Sequence, residues 1–383
     1  MIDALAWLVV LPAMLALAVL SIELSAAQLR PRAQPSTKPT DITILIPAHD
    51  EEAGVARCIE AARASAPAGS SILVVADNCS DRTAEIARAV GAEVIERHNP
   101  IHRGKGHALG FARRHLRAAP PAIVAVLDAD CAVEGRGLAR LAGTAAALNR
   151  PVQSAYLFRP IPDRGPLVAV SGFALLLRNL IRQRGLARIG APALLTGSGM
   201  AFPWRCFDAA PLDTDDIAED LGMGIALSQL GMAPAFLPQV TTWSDPATRS
   251  ATLGQRTRWE QGFLRSAIRQ APQLLLSGEG HLLWLGLHLC VPPLALLGTL
   301  CTASLLASGA LIALGASGSA ALMLIALLTV TAGLVLLGWW RFGRAQASAR
   351  QLLLAPAYML WKLPLYLGAI RKPERMWKRT PRD

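Results

Sequence analysis

Two long stretches of this chain contain no Asp, Glu, Lys or Arg: residues 4–22 and residues 280–340. A helix of about 20 apolar residues is long enough to cross the hydrocarbon core of a bilayer. The first stretch therefore predicts one membrane-spanning helix, and the second predicts two, with an external turn at residues 315–319. The composition agrees, because only 17% of the 383 residues are charged, whereas soluble proteins average about 25%.

The positive charge of the chain lies beside its apolar segments. The formal net charge is +11, and the excess falls in four flanking clusters, at residues 30–38, 249–269, 341–350 and 371–383. Basic residues next to a span favour the cytoplasmic side and attract anionic membrane lipids. We therefore expect a protein of a bacterial-type inner membrane, with its N-terminus outside and its polar region in the cytoplasm. A nucleic-acid binder would carry its basic face on a folded module, so no nucleic-acid partner is predicted.

The distribution of apolar and charged residues divides the chain into five segments. The predicted segments are an N-terminal transmembrane anchor at 1–28, a cytoplasmic domain at 41–248, a helical segment at the membrane interface at 249–279, two transmembrane helices at 280–341, and an interfacial or re-entrant segment with a basic tail at 350–383. Two alternatives to this division stay open: a cleaved signal peptide that ends near residues 25–27, and additional C-terminal spans.

Short apolar runs alternate with helix-forming stretches in the polar region. The runs are residues 42–47, 72–76, 93–97 and 122–127, and the predicted helices between them include 82–90 and 106–118. Alternation of strands and helices predicts an α/β fold with a parallel sheet and right-handed crossovers. In such a sheet, ligands bind beyond the carboxyl ends of the strands.

Acidic side chains stand at three of these strand ends. His49 and Asp50 follow the first run, Asp77 follows the second, and Asp128 and Asp130 follow the fourth. Carboxylates that converge on one crevice repel one another unless a cation or a ligand rich in hydrogen-bond donors lies among them. A divalent metal ion that carries a diphosphate would satisfy this requirement.

Other polar residues of the same region carry weaker signals. Asp213 and Asp215 repeat the D-x-D spacing, but in a stretch that we interpret as a solvated turn. Lys105, between two glycines, either lies near a bound nucleotide or belongs to a flexible turn before a helix. The six cysteines contain no C-x-x-C pair, so neither a zinc site nor a disulfide framework is indicated. We also predict no metal ligation by the loosely spaced histidines His98, His102 and His107.

Five short motifs follow one another between residues 42 and 262. They are Pro47-Ala48-His49-Asp50-Glu51, Asp77, Asp128-Ala129-Asp130, Glu219-Asp220 and Gln255-Arg256-Thr257-Arg258-Trp259. In this order they resemble the P-A-x-N-E opening, the first nucleotide-binding Asp, the D-x-D, the end of the T-E-D and the Q-x-x-R-W of membrane-integrated inverting glycosyltransferases of family 2. The last motif is shared with cellulose and hyaluronan synthases and ceramide glucosyltransferases. The chain departs from the family at Asp50, where Asn is usual, and at Ala218, where Thr is common.

The resemblance implies a fold and a role for each matching position. The fold would be α/β of the GT-A type (nucleotide-diphospho-sugar transferase, Rossmann-like), with N-terminal and C-terminal transmembrane helices. Asp220, beside Glu219, would be the catalytic base, and Asp130 and Asp128 would hold Mg²⁺ or Mn²⁺. The acceptor would contact Trp259 and a glycine-rich segment with Gly197, Ser198 and Gly199. The donor would be bound by Pro47, His49, Asp50, Glu51, Asp77, Lys105, Asp128, Gln255, Arg256 and Arg258.

The implied function is inverting transfer of a sugar from a nucleotide-diphosphate donor, a UDP-sugar, to a membrane lipid or lipid-linked saccharide. Such a reaction belongs to the synthesis of envelope glycolipids or exopolysaccharides. The alternative is a processive polysaccharide synthase, for which two or three spans are a poor conduit unless the chain forms a homo-oligomer or joins polysaccharide-assembly partners. A rival of another class is a non-catalytic membrane scaffold that binds nucleotide sugars. A transporter is disfavoured, because we expect no paired acidic or basic residue within a span.

Overall fold

The computed structural model describes residues 1–38, 41–160, 165–245, 249–359 and 362, with only the backbone of residues 249–257. These residues form two compact units. The helical unit comprises Met1–Arg30, Pro160–Ala191 and the described residues from Leu264 onward. The sheet unit comprises the described residues of Pro31–Arg159 and Pro192–Phe263.

The described part of the sheet unit contains one mixed sheet of eight strands. Their order is β3-β2-β1-β4-β7-β6-β8-β5, and their bounds are β1 (Ile42–Ala48), β2 (Ser71–Asp77), β3 (Glu93–Arg97), β4 (Ile123–Val126), β5 (Cys131–Val133), β6 (Val152–Phe158), β7 (Met200–Pro203) and β8 (Ala235–Ser244). Strands β1 to β4 pair in parallel, as predicted. Strand β7 is antiparallel to both β4 and β6, and β5 is antiparallel to β8. The second half of the domain, for which the sequence predicts no strands, is mixed: among its described strands only β6 and β8 run in parallel.

The described helices surround the sheet or build the helical unit. In chain order they are α1 (Ile2–Ala27), α2 (Val55–Ser65), α3 (Thr83–Ala89), α4 (Lys105–Leu116), α5 (Gly137–Leu148), α6 (Pro166–Leu176), α7 (Gln183–Ile189), α8 (Trp204–Ala209), α9 (Glu219–Gln229), α10 (Arg249–Leu275), α11 (Gly280–Leu289), α12 (Leu294–Ala313), α13 (Ser319–Gly338) and α14 (Ala349–Leu352). Two π-helical segments, Leu177–Arg182 and Trp339–Gly343, continue α6 and α13.

The parallel strands are apolar throughout because helices cover both faces of the sheet. Alternate residues of β1 belong to two separate cores. Ile44 and Ile46 pack in one core with Val74 of β2, and Leu45 packs in the other with Val75. All five side chains are fully buried, so the carboxyl ends of β1, β2 and β4 are fixed by well-packed strands.

Three helices of the described chain are long and apolar enough to cross a membrane: Ile2–Ala27, Leu294–Ala313 and Ser319–Gly343. They are compatible with association with a membrane. The turn between the second and the third falls where the sequence predicts it, at residues 314–318. The predicted basic tail lies outside the described residues.

A buried ionic cluster lies inside the helical unit. Glu23 near the end of α1 accepts a hydrogen bond from Arg182 Nε at 2.6 Å, and its Oε1 lies 2.7 Å from His288 Nδ1. All three residues are buried. The expectation that no span holds a paired charge is therefore wrong, because Glu23 lies within the candidate span Ile2–Ala27. The sequence does not reveal this pair, since Glu23 lies just beyond the charge-free stretch and its partners come from distant parts of the chain.

Candidate active site

The carboxylate at the end of β2 is held by the neighbouring strand. Asp77 and Arg97 lie opposite each other in the register of β2 and β3. Arg97 Nη1 donates a hydrogen bond of 2.5 Å to Asp77 Oδ1, and both side chains are buried. Arg97 Nη2 also donates to the backbone oxygen of His102 at 2.6 Å. Arg97 is not among the residues predicted for the site, although its position at the end of an adjacent parallel strand is a usable signal.

The first motif connects the loop after β1 to the loop after β2. Pro47 is a half-buried residue of β1, and His49 Nδ1 lies 2.7 Å from the backbone oxygen of Asp77. Asp50 has a left-handed backbone conformation, φ 53°, and its Oδ1 accepts a hydrogen bond from the Ser80 backbone at 2.7 Å.

Glu51, the next residue of the motif, also joins the loop after β1 to the loop after β2. The backbone N–H of Glu51 donates to Thr83 Oγ1 at 2.7 Å. These contacts hold the motif at the edge of the sheet where ligands are expected.

The D-x-D carboxylates lie between β4 and β5. One ligand atom from each of Asp128, Asp130 and Cys131 lies within 4.8 Å of the others. Ser244 Oγ, at the end of β8, donates to Asp130 Oδ2 at 3.1 Å. Burial, followed by the charge of Asp128, raises the pKa of the Cys131 thiol well above its usual range, so sulfur ligation is disfavoured. Two carboxylates are the hard oxygen ligands that Mg²⁺ and Mn²⁺ prefer, and the residues present fit either ion.

Lys105 occupies the centre of the site. It is the first residue of α4, and its Nζ donates to Asp128 Oδ1 and, at 2.5 Å, to the backbone oxygen of Gly197. Burial disfavours the charged amine, but Asp128, Glu219 and Asp220 outweigh burial and raise the pKa of Lys105. The ammonium group therefore stays charged among the carboxylates.

The acidic pair of the fourth motif lies in the first turn of α9. A Cβ atom at Gly197 would lie 3.3 Å from both Asp220 Oδ2 and Lys105 Nζ, so both side chains approach this glycine. Burial and the charge of Asp220 raise the pKa of Glu219 to about 8. Near neutral pH, Glu219 therefore holds a proton. The pKa of Glu219 is raised even though the positive end of the α9 dipole favours the ionised form of a carboxylate in this turn.

Hydrogen bonds from β6 and from the D-x-D segment fix the glycine-rich segment. Gly197 and Gly199 have φ of 86° and 66°, which glycine adopts without steric cost. Ser198 is fully buried, and its Oγ accepts a hydrogen bond from the Asp128 backbone at 3.0 Å. Gln153 Nε2 donates to the Ser198 backbone oxygen at 2.9 Å. Ser198 thus supports the D-x-D segment, and its contact with an acceptor stays a prediction, as do those of Gly197 and Gly199.

The Q-x-x-R-W motif lies on α10. The side chains of Gln255 and Arg256 lie outside the described residues, and Arg258 is half-buried. Trp259 stacks on Phe158 of β6, with ring centroids 6.2 Å apart and an interplanar angle of 24°. One face of this ring therefore packs on the core, and its contact with an acceptor stays a prediction.

The helix of this motif also approaches the acidic pair. A Cβ atom at Gly262 would lie 3.1 Å from the Cβ atom of Ala218, the residue before Glu219. The small residue that replaces the family's Thr therefore contacts α10.

Comparison with known proteins identifies the family of this site. The sequence profile of the family described as "Glycosyltransferase like family 2" matches residues 39–262. The chain belongs to this family. The matched region contains all five motifs and more than half of the chain, so the predicted membership in family 2 is confirmed.

The fold of this family 2 member also matches a solved structure. A mannosyltransferase from Pyrobaculum calidifontis, in complex with GDP-Man and Mn²⁺, superimposes with a TM-score of 0.61 at 19% identity. The match covers 95% of this chain and 100% of that chain. The predicted mixed α/β fold of the GT-A type, with apolar helices at both ends, is confirmed.

Curated relatives share a shorter region with this family 2 member. The low-salt glycan biosynthesis hexosyltransferase of Haloferax volcanii is 36% identical over 102 residues, which is 26% of this chain and 23% of that protein. An uncharacterized glycosyltransferase of Mycobacterium tuberculosis is 34% identical over 100 residues, which is 26% of this chain and 41% of that protein. These matches therefore span less than half of the length of either relative.

Proposed function

We propose that this protein is an inverting glycosyltransferase that transfers a sugar from a UDP-sugar to a membrane lipid or lipid-linked saccharide. The transfer occurs at the cytoplasmic face of an inner membrane, in envelope glycolipid or exopolysaccharide synthesis. The observation that carries the proposal is the meeting of Lys105, Asp128 and Asp220 around Gly197. Membership in family 2 supports the reaction class, and three helices long and apolar enough to span a bilayer support a membrane acceptor.

The donor binds along the carboxyl edge of the sheet. Asp77, fixed by Arg97, contacts the base or ribose, and the diphosphate lies near Lys105 and the arginines of the Q-x-x-R-W motif, whose planar donors suit phosphate oxygens. Asp130 and Asp128 would hold a Mg²⁺ or Mn²⁺ ion, which would supply positive charge to offset the negative charge of the leaving diphosphate. The mannosyltransferase of the same fold was solved with a nucleotide sugar and Mn²⁺, which supports this assignment.

Asp220 acts as the general base. It takes the proton from the acceptor hydroxyl as the oxygen attacks the anomeric carbon, and the bond from that carbon to the diphosphate breaks on the opposite side. Glu219 lies beside it in the first turn of α9, and the charge of Asp220 contributes to the raised pKa of Glu219. The product has inverted anomeric configuration, because a single displacement forms no covalent sugar-enzyme intermediate.

Substitution of the base tests the catalytic role. Asp220→Asn should lower turnover by about 10²- to 10⁴-fold, the usual contribution of a general base, with nucleotide-sugar affinity unchanged within about twofold, since binding uses other groups. The measurements are transfer of labelled sugar and calorimetric donor binding. Asp208→Asn, which removes an exposed carboxylate paired with Arg117, is the matched control. Turnover that survives in Asp220→Asn would favour the non-catalytic scaffold.

A panel of labelled UDP- and GDP-sugars, incubated with the full chain and membrane lipids, tests the substrates. Label from a UDP-sugar should enter the organic phase in a product with one added sugar and inverted configuration. Activity with GDP-sugars alone would overturn the UDP assignment, and a retained configuration would overturn the mechanism. A long polymer would favour the processive synthase.

A further inference from the structure

A second group of metal-ligating side chains lies outside the D-x-D. His102 stands in the loop before α4, His107 in the first turn of α4, and Asp215 in the loop before α9. One ligand atom from each lies within 4.8 Å of the others. His107 Nε2 is 2.8 Å from Asp215 Oδ1, and His102 Nδ1 is 4.0 Å from the same oxygen. Three ligands from two segments of the chain thus lie close to one point.

The chemistry of this group differs from that of the D-x-D. Two imidazoles and one carboxylate suit Zn²⁺ and similar ions, whereas Mg²⁺ prefers oxygen ligands alone. Bonds of about 2.0 Å in a tetrahedral site place ligand atoms about 3.3 Å apart, so the observed separations need only small side-chain rotations. His102 and Asp215 are exposed, which gives an ion access and leaves room for water as a fourth ligand.

The surroundings of His107 fix its orientation. Its side chain is only 8% exposed, and Asp213 Oδ1 lies 4.0 Å from its Nδ1. Asp213 therefore lies near the second imidazole nitrogen, on the side where a metal-bound histidine usually has its outer partner. Arg114 Nη1 in turn holds both oxygens of Asp213, at 3.0 and 2.9 Å.

The backbone brings the two segments together without an ion. The Asp213 N–H donates to the backbone oxygen of Gly106 at 3.2 Å, and a Cβ atom at Gly106 would lie 2.9 Å from the Thr214 backbone oxygen. The glycine therefore allows the loop to lie directly on α4. The ligand set is in place before an ion arrives, which lowers the cost of binding.

We propose that His102, His107 and Asp215 bind one zinc ion, separate from the D-x-D ion. This reverses the expectation that the histidines of this region hold no metal. The bound zinc fastens the turn that carries Lys105 to the loop that leads into Glu219. It thereby restrains two of the segments that form the candidate active site.

Metal counting tests the proposal. The full chain, purified in detergent with a tag free of histidine and stripped by a chelator, is dialysed against Zn²⁺ in excess Mg²⁺. We expect one zinc per chain in the unaltered protein and in His98→Ala, which removes an exposed histidine paired with Glu96. His102→Ala and Asp215→Asn should each bind zinc at least about tenfold more weakly, since even outer partners of a ligand are worth about 10- to 100-fold.

Three results would overturn the site. They are absence of bound zinc in the unaltered protein, unchanged affinity in both His102→Ala and Asp215→Asn, and loss of zinc in Asp128→Asn, which would place the ion at the D-x-D. Co²⁺ in place of zinc gives a second measurement, a visible absorption band that should vanish in His102→Ala and persist in Asp128→Asn. His102 and Asp215 are exposed, so thermal unfolding of these two variants without zinc should match that of the unaltered protein. Metal counts do not depend on sugar transfer, so the two proposals can fail separately.

Discussion

Lys105 is the cation around which the charges of the candidate active site are arranged. Asp128 pairs with it directly, Asp220 approaches it across Gly197, and Glu219 lies close enough to raise its pKa. One ammonium group cannot neutralise three carboxylates. The site balances its charge by protonating Glu219, and a bound divalent ion would supply further positive charge.

The shifted carboxyl of Glu219 predicts a pH-dependent stability of the metal-free protein. Its pKa is about 8 in the folded chain against an ordinary value of 4.5, so the folded state binds the proton more tightly. The resulting stability is complete below about pH 4.5 and is lost as the pH rises through 8. Between pH 6 and pH 9, the midpoint of thermal unfolding should fall more steeply in the unaltered protein than in Glu219→Gln. Glu60→Gln, on the exposed side of α2, is the control, and equal slopes in all three proteins would contradict the shift.

The buried pair at the end of β2 predicts a large loss of stability. Arg97→Met leaves the Asp77 carboxylate buried without its partner, which costs about 3–5 kcal/mol. The exposed pair of Arg88 and Glu96, 2.6 Å apart, provides the matched comparison, because Glu96 directly precedes Arg97 in β3 and Arg88→Met should cost less than about 1 kcal/mol. Denaturant unfolding measures both free energies. Similar losses in the two variants would show that burial does not govern the strength of the Asp77 pair.

At the scale of elements, the glycine-rich segment is the point where the two halves of the sheet meet. Gly199 precedes β7, its backbone oxygen accepts a hydrogen bond from Ser154 N–H on β6 at 2.9 Å, and its own N–H donates to Val126 of β4 at 3.0 Å. A side chain at this position would point at the hydroxyls of Ser154 and Thr242. The close approach of three strands thus requires a residue without a Cβ atom.

This close approach predicts a steric cost for Gly199→Ala. Gly231 has a similar left-handed backbone, φ 73° against 66°, but open space around its Cβ position. Gly231→Ala therefore measures the backbone cost alone. Gly199→Ala should lose about 1–3 kcal/mol more, the usual cost of overpacking, in the free energy of unfolding. Equal losses would mean that β6 and β8 yield to the methyl group.

The elements that the sequence predicts well are those with a local signal. Strands β1, β2 and β4 are continuous apolar runs, and their terminal carboxylates Asp77 and Asp128 follow from that pattern. Strands β5 and β7 have only three and four residues, too few to show a period. Long β8 pairs with β6 across a register shift between Ser154 and Ala155, which no local pattern encodes.

The residues of the candidate site also divide into those with a local sequence signal and those without one. Positions directly after buried strands are predictable, whereas Arg97, Gln153 and Ser244 reach the site through the register of neighbouring strands. Lys105 carries an ambiguous signal in the sequence because its partners, Asp128 and the Gly197 backbone oxygen, are 23 and 92 residues away. Long-range pairing sets these contacts, so spacing along the chain cannot reveal them.

At the scale of the whole molecule, the helical unit is assembled from three separate parts of the chain. The insertion between β6 and β7 supplies Arg182 through a π-helical segment, a form often found where a side chain must be re-aimed. Arg182 meets Glu23 from α1 and His288 from α11. The ionic cluster therefore joins the beginning, middle and end of the described chain.

Removal of one member of this cluster should destabilise the helical unit. Glu23→Met leaves Arg182 buried without a counter-charge and should lower the free energy of unfolding by about 3–5 kcal/mol. The double variant Glu23→Met with Arg182→Met should lose less, because two apolar side chains replace the pair. Unfolding in nanodiscs, followed by tryptophan fluorescence, measures the difference. A double variant less stable than Glu23→Met would contradict this prediction. It would show that Arg182 stabilises the helical unit even when Glu23 is absent.

The distance along the chain between Glu23 and its partners has a consequence for synthesis. Arg182 is 159 residues later and His288 is 265 residues later. At about 5–20 residues per second on the ribosome, the first partner emerges roughly 8–30 seconds after Glu23 and the second roughly 13–50 seconds after it. Throughout that interval the first helix carries the Glu23 carboxyl without either of the partners that it has in the folded chain. The ionic cluster can therefore close only after residue 288 has left the ribosome, so the first helix reaches its final packing late in synthesis.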